Sequence, residues 1–242
     1  MKIRVFEAFA GYGSQSLALK RLHRDYPAID FVSVGFSEID KSPINAYHAL
    51  HGDVPNYGDI TTIDWAAVPD FDLFTYSFPC QDISNAGLQR GFSKDSGTRS
   101  SLLWECERAI KAKRPRFLLM ENVKALVQKK FMPDFREWLA LLDSYGYANF
   151  WQVLNAKDYG VPQNRERVFC VSILRTDADP EPRYSFPQPF PLELRLKDVL
   201  EDKVDERYYL SDKMLEYFNR VNDDKSHGHN FNPTDGGVRP SP

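Results

Sequence analysis

The sequence has few cysteines, no long apolar run and little net charge. Its 242 residues include only three cysteines, and their scattered positions match neither a disulfide framework nor a zinc knuckle. We therefore expect a reducing, intracellular environment. No apolar stretch approaches the roughly 20 residues that a membrane span requires, and residues 1–5 enter a strand pattern at once, which leaves no room for a signal peptide. The net charge of −3 argues against a wholly basic nucleic-acid-binding module.

Strand-like and helix-like segments alternate over the first 175 residues. The spacing of apolar residues predicts strands at residues 2–10, 31–36, 72–77, 116–120, 150–155 and 167–173, and helices at residues 14–26, 44–50, 102–113 and 133–142. The last two strands follow one another as a closing pair. This repeated β–α order predicts an α/β fold with a mostly parallel sheet and helices on both faces.

The composition changes after the alternating region. Residues 177–195 contain five prolines and are predicted to be an extended linker. Residues 196–224 are acidic and are predicted to form a small helical segment, whereas residues 225–242 have almost no apolar side chains and are predicted to be disordered. The two histidines of this tail lack acid or thiol partners at ligand spacing, so no metal site is expected. The main domain is accordingly predicted to span residues 1–176.

The first predicted strand leads into a glycine-containing turn. Gly11 and Gly13 allow a ligand to approach the backbone, but Ser16 occupies the third glycine position of a dinucleotide fingerprint. Glu38 ends the second strand, where an acid can accept both hydroxyls of a ribose. Asp59 follows at the next strand end, where an adenine amino group could donate to it. Together these residues describe a nucleoside pocket without a pyrophosphate clamp.

A second group of residues indicates covalent chemistry. Cys80 directly follows Pro79 after an apolar strand, so a stiff turn delivers its sulfur to the same crevice. Glu121 ends the next strand beside apolar neighbours, and desolvation by them favours its neutral form. Arg165 and Arg167 lie at the mouth of a later strand, two residues apart, and strand alternation places them on one face.

Six motifs occur in the order FAGYG, EID, GDI, FPCQ, ENV and QNRER. This set closely resembles the DNA (cytosine-5-)-methyltransferase family from Val5 to about Ile173. The resemblance implies a Rossmann-like, S-adenosylmethionine-dependent methyltransferase fold, whose mostly parallel sheet carries an antiparallel closing strand. It also implies methyl transfer to carbon 5 of a flipped cytosine in DNA through a covalent Cys80 adduct, in an enzyme of restriction–modification or phage type.

The resemblance further implies roles for individual residues. Cys80 is the expected nucleophile, Glu121 the donor to ring nitrogen 3 and the exocyclic amine, Arg167 the partner of the carbonyl oxygen, and Arg165 a residue that orients Glu121 or the base. The expected cofactor contacts are Phe9, Gly11, Gly13, Glu38, Ile39, Asp59, Ile60 and Pro79. The expected contacts to DNA or to the target base are Gln81, Ser84, Arg90, Arg99 and Asn122. The loop of residues 85–98 is expected to close over the base.

Cofactor and partner expectations follow from the same resemblance. The cofactor is S-adenosylmethionine and the partner is double-stranded DNA, with a cognate restriction endonuclease as a further candidate, in the cytoplasm of a bacterial or phage-infected cell. Nothing after QNRER matches the target-recognition region or the last two motifs of the family. We therefore expect either a truncated chain or a second chain that supplies this region, and weak or no methylation by this chain alone. Two alternatives stay open, an RNA (tRNA) cytosine-5 methyltransferase and a non-catalytic fragment that binds cofactor or a partner.

Overall fold

A single six-stranded sheet organises the part of the chain that the computed structural model describes, residues 2–84, 89–94 and 96–223. The strand order is β2-β1-β3-β4-β6-β5. The strands are β1 (Lys2–Ala8), β2 (Asp30–Ser37), β3 (Leu73–Tyr76), β4 (Phe117–Val123), β5 (Tyr147–Asn155) and β6 (Glu166–Leu174). The first four strands pair in parallel, and β6 pairs antiparallel with both β4 and β5.

The helices connect the parallel strands. Within the described residues they are α1 (Ser14–Asp25), α2 (Lys41–His51), α3 (Cys106–Lys113), α4 (Met132–Ser144) and α5 (Asp212–Asp223). The β1–α1–β2 and β3–α3–β4 connections leave the centre of the sheet in opposite directions, so right-handed crossovers place α1 and α3 on opposite faces. The predicted α/β fold, with a mostly parallel sheet and an antiparallel closing strand, is confirmed.

The core beneath the sheet is rich in aromatic rings. Phe6 on β1 is fully buried and lies 5.2 Å from Trp65 and 6.2 Å from Phe74, measured between ring centroids. Tyr76 on β3 packs edge-on against Trp138 at 6.1 Å. Full burial of such a side chain contributes about 1.5–3 kcal/mol, and tilted or edge-on ring contacts add to it. The core therefore gives β1 and β3 a rigid base, and both strands lead into the loops of the site.

The largest local difference from the predicted elements precedes α3. A helix was expected to begin at Leu102, whereas Arg99–Glu105 forms a 3₁₀ helix and the α-helix begins at Cys106. Thr98 explains the early start, because its hydroxyl oxygen accepts a hydrogen bond from the backbone N–H of Ser101. Such local side-chain bonds compete with regular helical pairing.

The acidic segment after the linker is less regular than expected. Only α5 is an α-helix; the residues before it form 3₁₀ turns at Leu196–Val199 and Glu206–Tyr208. Within the expected helical segment of residues 196–224, only Asp212–Asp223 are α-helical among the described residues, and the segment itself stays a prediction. The predicted disordered tail, residues 225–242, lies outside the described residues.

The chain forms two compact units. The first comprises Met1–Asn155 and Glu166–Gln188, and the second comprises Ala156–Arg165 and Pro189–Pro242. The first contains the sheet and the core, whereas the second exposes many apolar side chains over its described part, Tyr208 among them at 68%. In the described residues, every helix is too short or too polar to cross a membrane. The domain boundaries at residues 176, 195 and 224 stay predictions.

Candidate active site

The carboxyl ends of the parallel strands converge on one edge of the first unit. β1 runs into the turn Phe9–Gly13, β2 ends beside Glu38, and β3 leads to Cys80 four residues after its last residue. Tyr76 of β3 pairs with Met120 of β4, so Glu121 lies at the same edge. Ligands of open α/β sheets bind outside the carboxyl ends of the strands, and the sequence-predicted groups lie at this edge.

The turn after β1 has an unusual backbone. Phe9, Gly11 and Gly13 have φ values of 56°, 56° and 81°, in the left-handed region that favours glycine. A Cβ atom on Gly13 would lie 2.4 Å from Nε2 of His51 and 2.7 Å from the ring of Tyr47. Glycine is therefore required at position 13 because α2 approaches the turn so closely.

The buried side chain of Glu7 forms hydrogen bonds to α1 and α2, the two helices next to this turn. Glu7 is fully buried and accepts hydrogen bonds from the backbone N–H of Ser16 at 3.1 Å, from the Ser16 hydroxyl, and from the Tyr47 hydroxyl at 2.6 Å. Burial, reinforced by the charge of Glu7, raises the pKa of Tyr47 well above its ordinary value. Sequence reasoning missed Glu7, although an acid inside an otherwise apolar strand is a signal that could have identified it.

Glu38 is fixed by backbone donors. Its Oε2 accepts from the N–H of Gly11 at 2.9 Å, and its Oε1 accepts from the N–H groups of Ile39 and Asp40 at 2.8 and 3.0 Å. The amide of Asn56 bonds to the backbone of Glu38 on both sides, at 3.2 and 3.0 Å. A carboxylate offers about four acceptor sites and three are occupied, so Glu38 can still accept one hydroxyl donor while it holds the turn.

Asp59 caps the short 3₁₀ helix Ile60–Thr62. Both hydrogen bonds from Thr61, one from its N–H and one from its hydroxyl, go to Oδ1 at 2.9 Å. The preceding backbone is held by Ser37, whose hydroxyl donates to the carbonyl of Gly58 at 2.6 Å. This arrangement directs the carboxylate of Asp59 into the same crevice as Glu38.

A cavity of about 260 Å³ lies between these groups and is close to the lower size limit of small-molecule pockets. Its lining residues are Phe9, Ser37, Glu38, Ile39, Asp40, Asp59, Ile60, Ser77, Pro79, Gln81, Arg99 and Leu102. Six of the eight expected cofactor residues are among them, and Gly11 and Gly13 lie in the adjoining turn. Gln81 and Arg99, which were expected to contact DNA, also line the cavity, and Nη1 of Arg99 donates to Oε1 of Gln81 at 3.2 Å.

The three cysteines have different surroundings. Cys80 is partly exposed, whereas Cys106 and Cys170 are buried in the core. Burial raises the pKa of the Cys106 thiol well above its ordinary value and that of Cys170 to about 12. Because the thiolate is the nucleophilic form, burial disfavours reaction at Cys106 and Cys170, and the assignment of Cys80 as the nucleophile stays a prediction.

The backbone around Cys80 forms a tight turn. Its carbonyl accepts from the N–H groups of Ile83 and Ser84 at 3.0 and 2.8 Å. Upstream, the carbonyl of Phe78 accepts from Nδ2 of Asn122 at 3.0 Å. Asn122 is 2% exposed, so in this structure it links β4 to the turn that carries Cys80.

Glu121 and Arg167 form an ion pair beside this turn. The distance between Oε1 of Glu121 and Nε of Arg167 is 3.1 Å, and the side chains are 20% and 22% exposed. The antiparallel pairing of β4 and β6 sets Arg167 opposite Val123, diagonal to Glu121 on the same face. Sequence reasoning considered only the apolar neighbours of Glu121; the structure adds Arg167 as a charged partner.

The remaining predicted residues are more dispersed. Arg165 is exposed, belongs to the second unit and precedes β6, which begins at Glu166, so strand alternation does not pair it with Arg167. Arg90 is exposed and Ser84 is partly buried. Residues 85–88 and 95 of the expected closing loop lie outside the described residues. Over the part of the chain that is described, no group of three or more His, Cys, Asp or Glu side chains is placed to hold a metal ion.

A model of the C-5 cytosine-specific DNA methylase family matches residues 3–238 of this sequence. The chain belongs to this family. It is 42% identical over 266 residues to the Type II methyltransferase M2.ScrFI of Lactococcus lactis subsp. cremoris, with 88% of this chain and 71% of the relative covered. It is 39% identical over 218 residues to the Type II methyltransferase M.NlaX of Neisseria lactamica, with 90% and 66% covered.

Solved structures show the same fold. The Dnmt2 methyltransferase of S. pombe superposes with a TM-score of 0.68 at 21% identity, covering 91% of this chain and 66% of that one. A DNMT2 structure from Spodoptera frugiperda gives 0.70 at 20% identity, covering 90% and 65%. The chain therefore spans roughly two thirds of the length of these proteins and of M.NlaX.

Proposed function

We propose that this chain transfers a methyl group from S-adenosylmethionine to carbon 5 of a cytosine flipped out of DNA, through a covalent bond between Cys80 and carbon 6. One observation carries the proposal. The nucleoside-type cavity with Glu38 and Asp59 lies at the same sheet edge as the partly exposed Cys80 and the Glu121–Arg167 pair. Membership of the C-5 cytosine-specific DNA methylase family supports this combination.

The cavity residues fit the proposed cofactor. Glu38 is held by backbone donors with its carboxylate at the cavity, where it accepts a ribose hydroxyl. Asp59 accepts from the adenine amino group, and Ile39 and Ile60 supply apolar surface for the adenine ring. Ile39 is 57% exposed, so a bound ring would cover it. S-adenosylmethionine supplies an electrophilic methyl group attached to a positively charged sulfur.

The base is activated by Cys80, Glu121 and Arg167, which form the other side of the crevice from the cofactor cavity. A cytosine reaches them only after it leaves the duplex stack. The Cys80 thiolate adds to carbon 6, and Glu121, which takes up a proton from solvent when its ion pair with Arg167 opens, donates that proton to nitrogen 3, so the ring electrons move towards carbon 5. Arg167 donates to the carbonyl oxygen. Carbon 5 then attacks the methyl carbon as the bond from that carbon to the sulfonium sulfur breaks, which releases S-adenosylhomocysteine. Solvent water removes the proton from carbon 5, the Cys80 sulfur leaves carbon 6 as a thiolate, and nitrogen 3 returns its proton to Glu121, which restores the ring.

The Glu121–Arg167 ion pair must rearrange during this sequence. The two side chains contact each other at 3.1 Å, and each is assigned a different atom of the base. Entry of the base therefore exchanges one ion pair for two sets of hydrogen bonds to the pyrimidine. We assign Arg165 the orientation of the base or of Glu121.

The proposed partners follow from the family. Double-stranded DNA is the substrate, contacted by Gln81, Ser84, Arg90 and Arg99, and the reaction takes place in the cytoplasm of a bacterial or phage-infected cell. The named Type II relatives support a cognate restriction endonuclease as a partner in the cell.

Trapping with 5-fluorocytosine tests the proposal. A fluorine at carbon 5 cannot leave as a proton does, so the covalent intermediate persists. We expect wild-type protein, S-adenosylmethionine and a duplex that contains 5-fluorocytosine to give an adduct that is visible by mass spectrometry and absent in Cys80→Ser. Cys170→Ala, at a buried thiol, is the matched control and should retain the adduct. An adduct in Cys80→Ser would contradict the mechanism, and methylation of tRNA without methylation of duplex DNA would favour the RNA alternative.

A further inference from the structure

One buried side chain, that of Ser100, forms hydrogen bonds to the backbone on both sides of Cys80. The hydroxyl of Ser100 donates to the carbonyl of Pro79 at 2.6 Å and accepts from the N–H of Asp82 at 3.1 Å. The N–H of Ser100 donates to Oδ2 of Asp82 at 3.3 Å. Cys80 lies between Pro79 and Asp82 in the sequence, so Ser100 bonds to the residue before it and to the second residue after it.

Burial makes this arrangement restrictive. Ser100 is 0% exposed and Asp82 is 7% exposed, and a buried polar group that loses its partner cannot turn to water instead. The three bonds fix the backbone from Pro79 to Asp82, and with it the direction in which the Cα–Cβ bond of Cys80 points. A misplacement of reacting atoms by about 1 Å can cost about 100-fold in rate, so this direction matters for an attack on carbon 6.

Further hydrogen bonds connect the turn that carries Cys80 to the segment that follows it, of which residues 89–94 and 96–100 are described. The carbonyl of Asp82 accepts from the N–H of Gly91 at 2.8 Å. The hydroxyl of Thr98 donates to the carbonyl of Gly91 at 2.8 Å. Ser100 follows two residues later at the start of the 3₁₀ helix. The turn of residues 79–82 is thus bonded to Gly91 in the first part of this segment and to Ser100 in the second.

We infer that Ser100, acting with Asp82, is a positioning residue for Cys80: its three hydrogen bonds hold the nucleophile turn in the orientation from which the sulfur meets the target base. The inference rests on the proposed function for its chemical consequence. Ser100 itself touches no reacting atom in this scheme and acts through the backbone of residues 79–82.

Ser100→Ala removes the hydroxyl, and Ser101→Ala is the matched control. The hydroxyl of Ser101 donates to the carbonyl of Thr98 at 2.7 Å within the same 3₁₀ helix, and no hydrogen bond joins it to the described part of the Cys80 turn. The first measurement is the rate at which iodoacetamide alkylates each cysteine, resolved by peptide mass spectrometry, in protein without DNA.

We expect Ser100→Ala to raise the alkylation rate of Cys80 by about threefold or more, because a freed turn exposes the thiol in more orientations. The buried thiols of Cys106 and Cys170 should stay as slow as in the wild type, and Ser101→Ala should match the wild type at all three. An unchanged rate at Cys80 would overturn the inference. A parallel rise at all three thiols would also overturn it, because it would indicate general loosening of the core.

The second measurement separates this inference from the proposed function. With the 5-fluorocytosine duplex, Ser100→Ala should form the Cys80 adduct about 10- to 100-fold more slowly, while its Kd for S-adenosylmethionine stays within about twofold of the wild-type value. Equal adduct rates in Ser100→Ala and wild type would refute the positioning role and leave the proposed function intact. If wild-type protein forms no adduct at all, the proposed function fails for this chain on its own, and the alkylation rates still decide the role of Ser100.

Discussion

The two sides of the crevice are held in different ways. On the cofactor side, formed by residues 9–13, Glu38 and Asp59, backbone N–H groups donate to both carboxylates, from Gly11 and Ile39 to Glu38 and from Thr61 to Asp59. On the base side, Cys80, Glu121 and Arg167 come from three separate segments and are held by contacts far apart in sequence. The cofactor side is thus fixed largely by backbone donors, whereas the base side depends on side-chain contacts that can exchange when a base enters.

This difference predicts that changes on the two sides affect different measurable quantities. Substitutions on the cofactor side should alter cofactor affinity or the stability of the turn. Substitutions on the base side should alter the chemical step and leave cofactor affinity nearly constant. Each experiment below would contradict this division if a substitution on the cofactor side changed the rate of the chemical step, or if one on the base side changed cofactor affinity.

The largest effect is expected on the base side. Glu121→Gln cannot donate a proton to nitrogen 3, and loss of one such transition-state donor costs about 100- to 1,000-fold in rate. Methyl transfer measured with radiolabelled S-adenosylmethionine should fall by that amount, with the Kd for the cofactor unchanged within about twofold. Glu166→Gln is the matched control, because Glu166 lies nearby on β6 but pairs with Lys124 at 2.9 Å. A weaker cofactor affinity in Glu121→Gln would contradict the division.

An intermediate effect is expected in the turn after β1. In Gly13→Ala the new methyl group would lie 2.4 Å from His51, and the combination of overpacking and a left-handed backbone should lower the free energy of unfolding by about 2–3 kcal/mol. Gly11→Ala is the comparison, because Gly11 has a similar φ but no atom within 4 Å of the added Cβ. It should lose only about 1 kcal/mol. Equal losses in urea denaturation would show that α2 does not constrain the turn.

The smallest effect is expected at Glu38. Glu38→Gln keeps the shape of the side chain but removes the charge that strengthens its bonds to a ribose hydroxyl and to Gly11, so the Kd for S-adenosylmethionine should rise by about tenfold. The rate at saturating cofactor should stay within about threefold of the wild-type rate. Calorimetry and saturation kinetics measure the two quantities, with Glu137→Gln on the exposed face of α4 as the control. A normal Kd with a large loss of rate would reverse the assignment of Glu38.

Sequence reasoning was most successful where local rules apply. The apolar periodicity located each strand of the sheet, and the rule that ligands bind at the carboxyl ends of parallel strands led to Glu38, Asp59 and Cys80. It was less successful where a side chain reaches across the fold. Arg99 was expected to contact DNA but lines the cavity, and the pairing of Glu121 with Arg167 was not foreseen.

The sequence by itself determined the order of the elements, the family motifs and the residues that stand at the strand ends, because these depend on spacing along the chain. Tertiary structure alone decided which of these residues share a cavity, why Gly13 tolerates no side chain, and that Ser100 secures the turn of Cys80. The physical reason is that such contacts join positions far apart in the sequence, 40 residues between Glu7 and Tyr47, and their geometry is set by the packing of the sheet and helices.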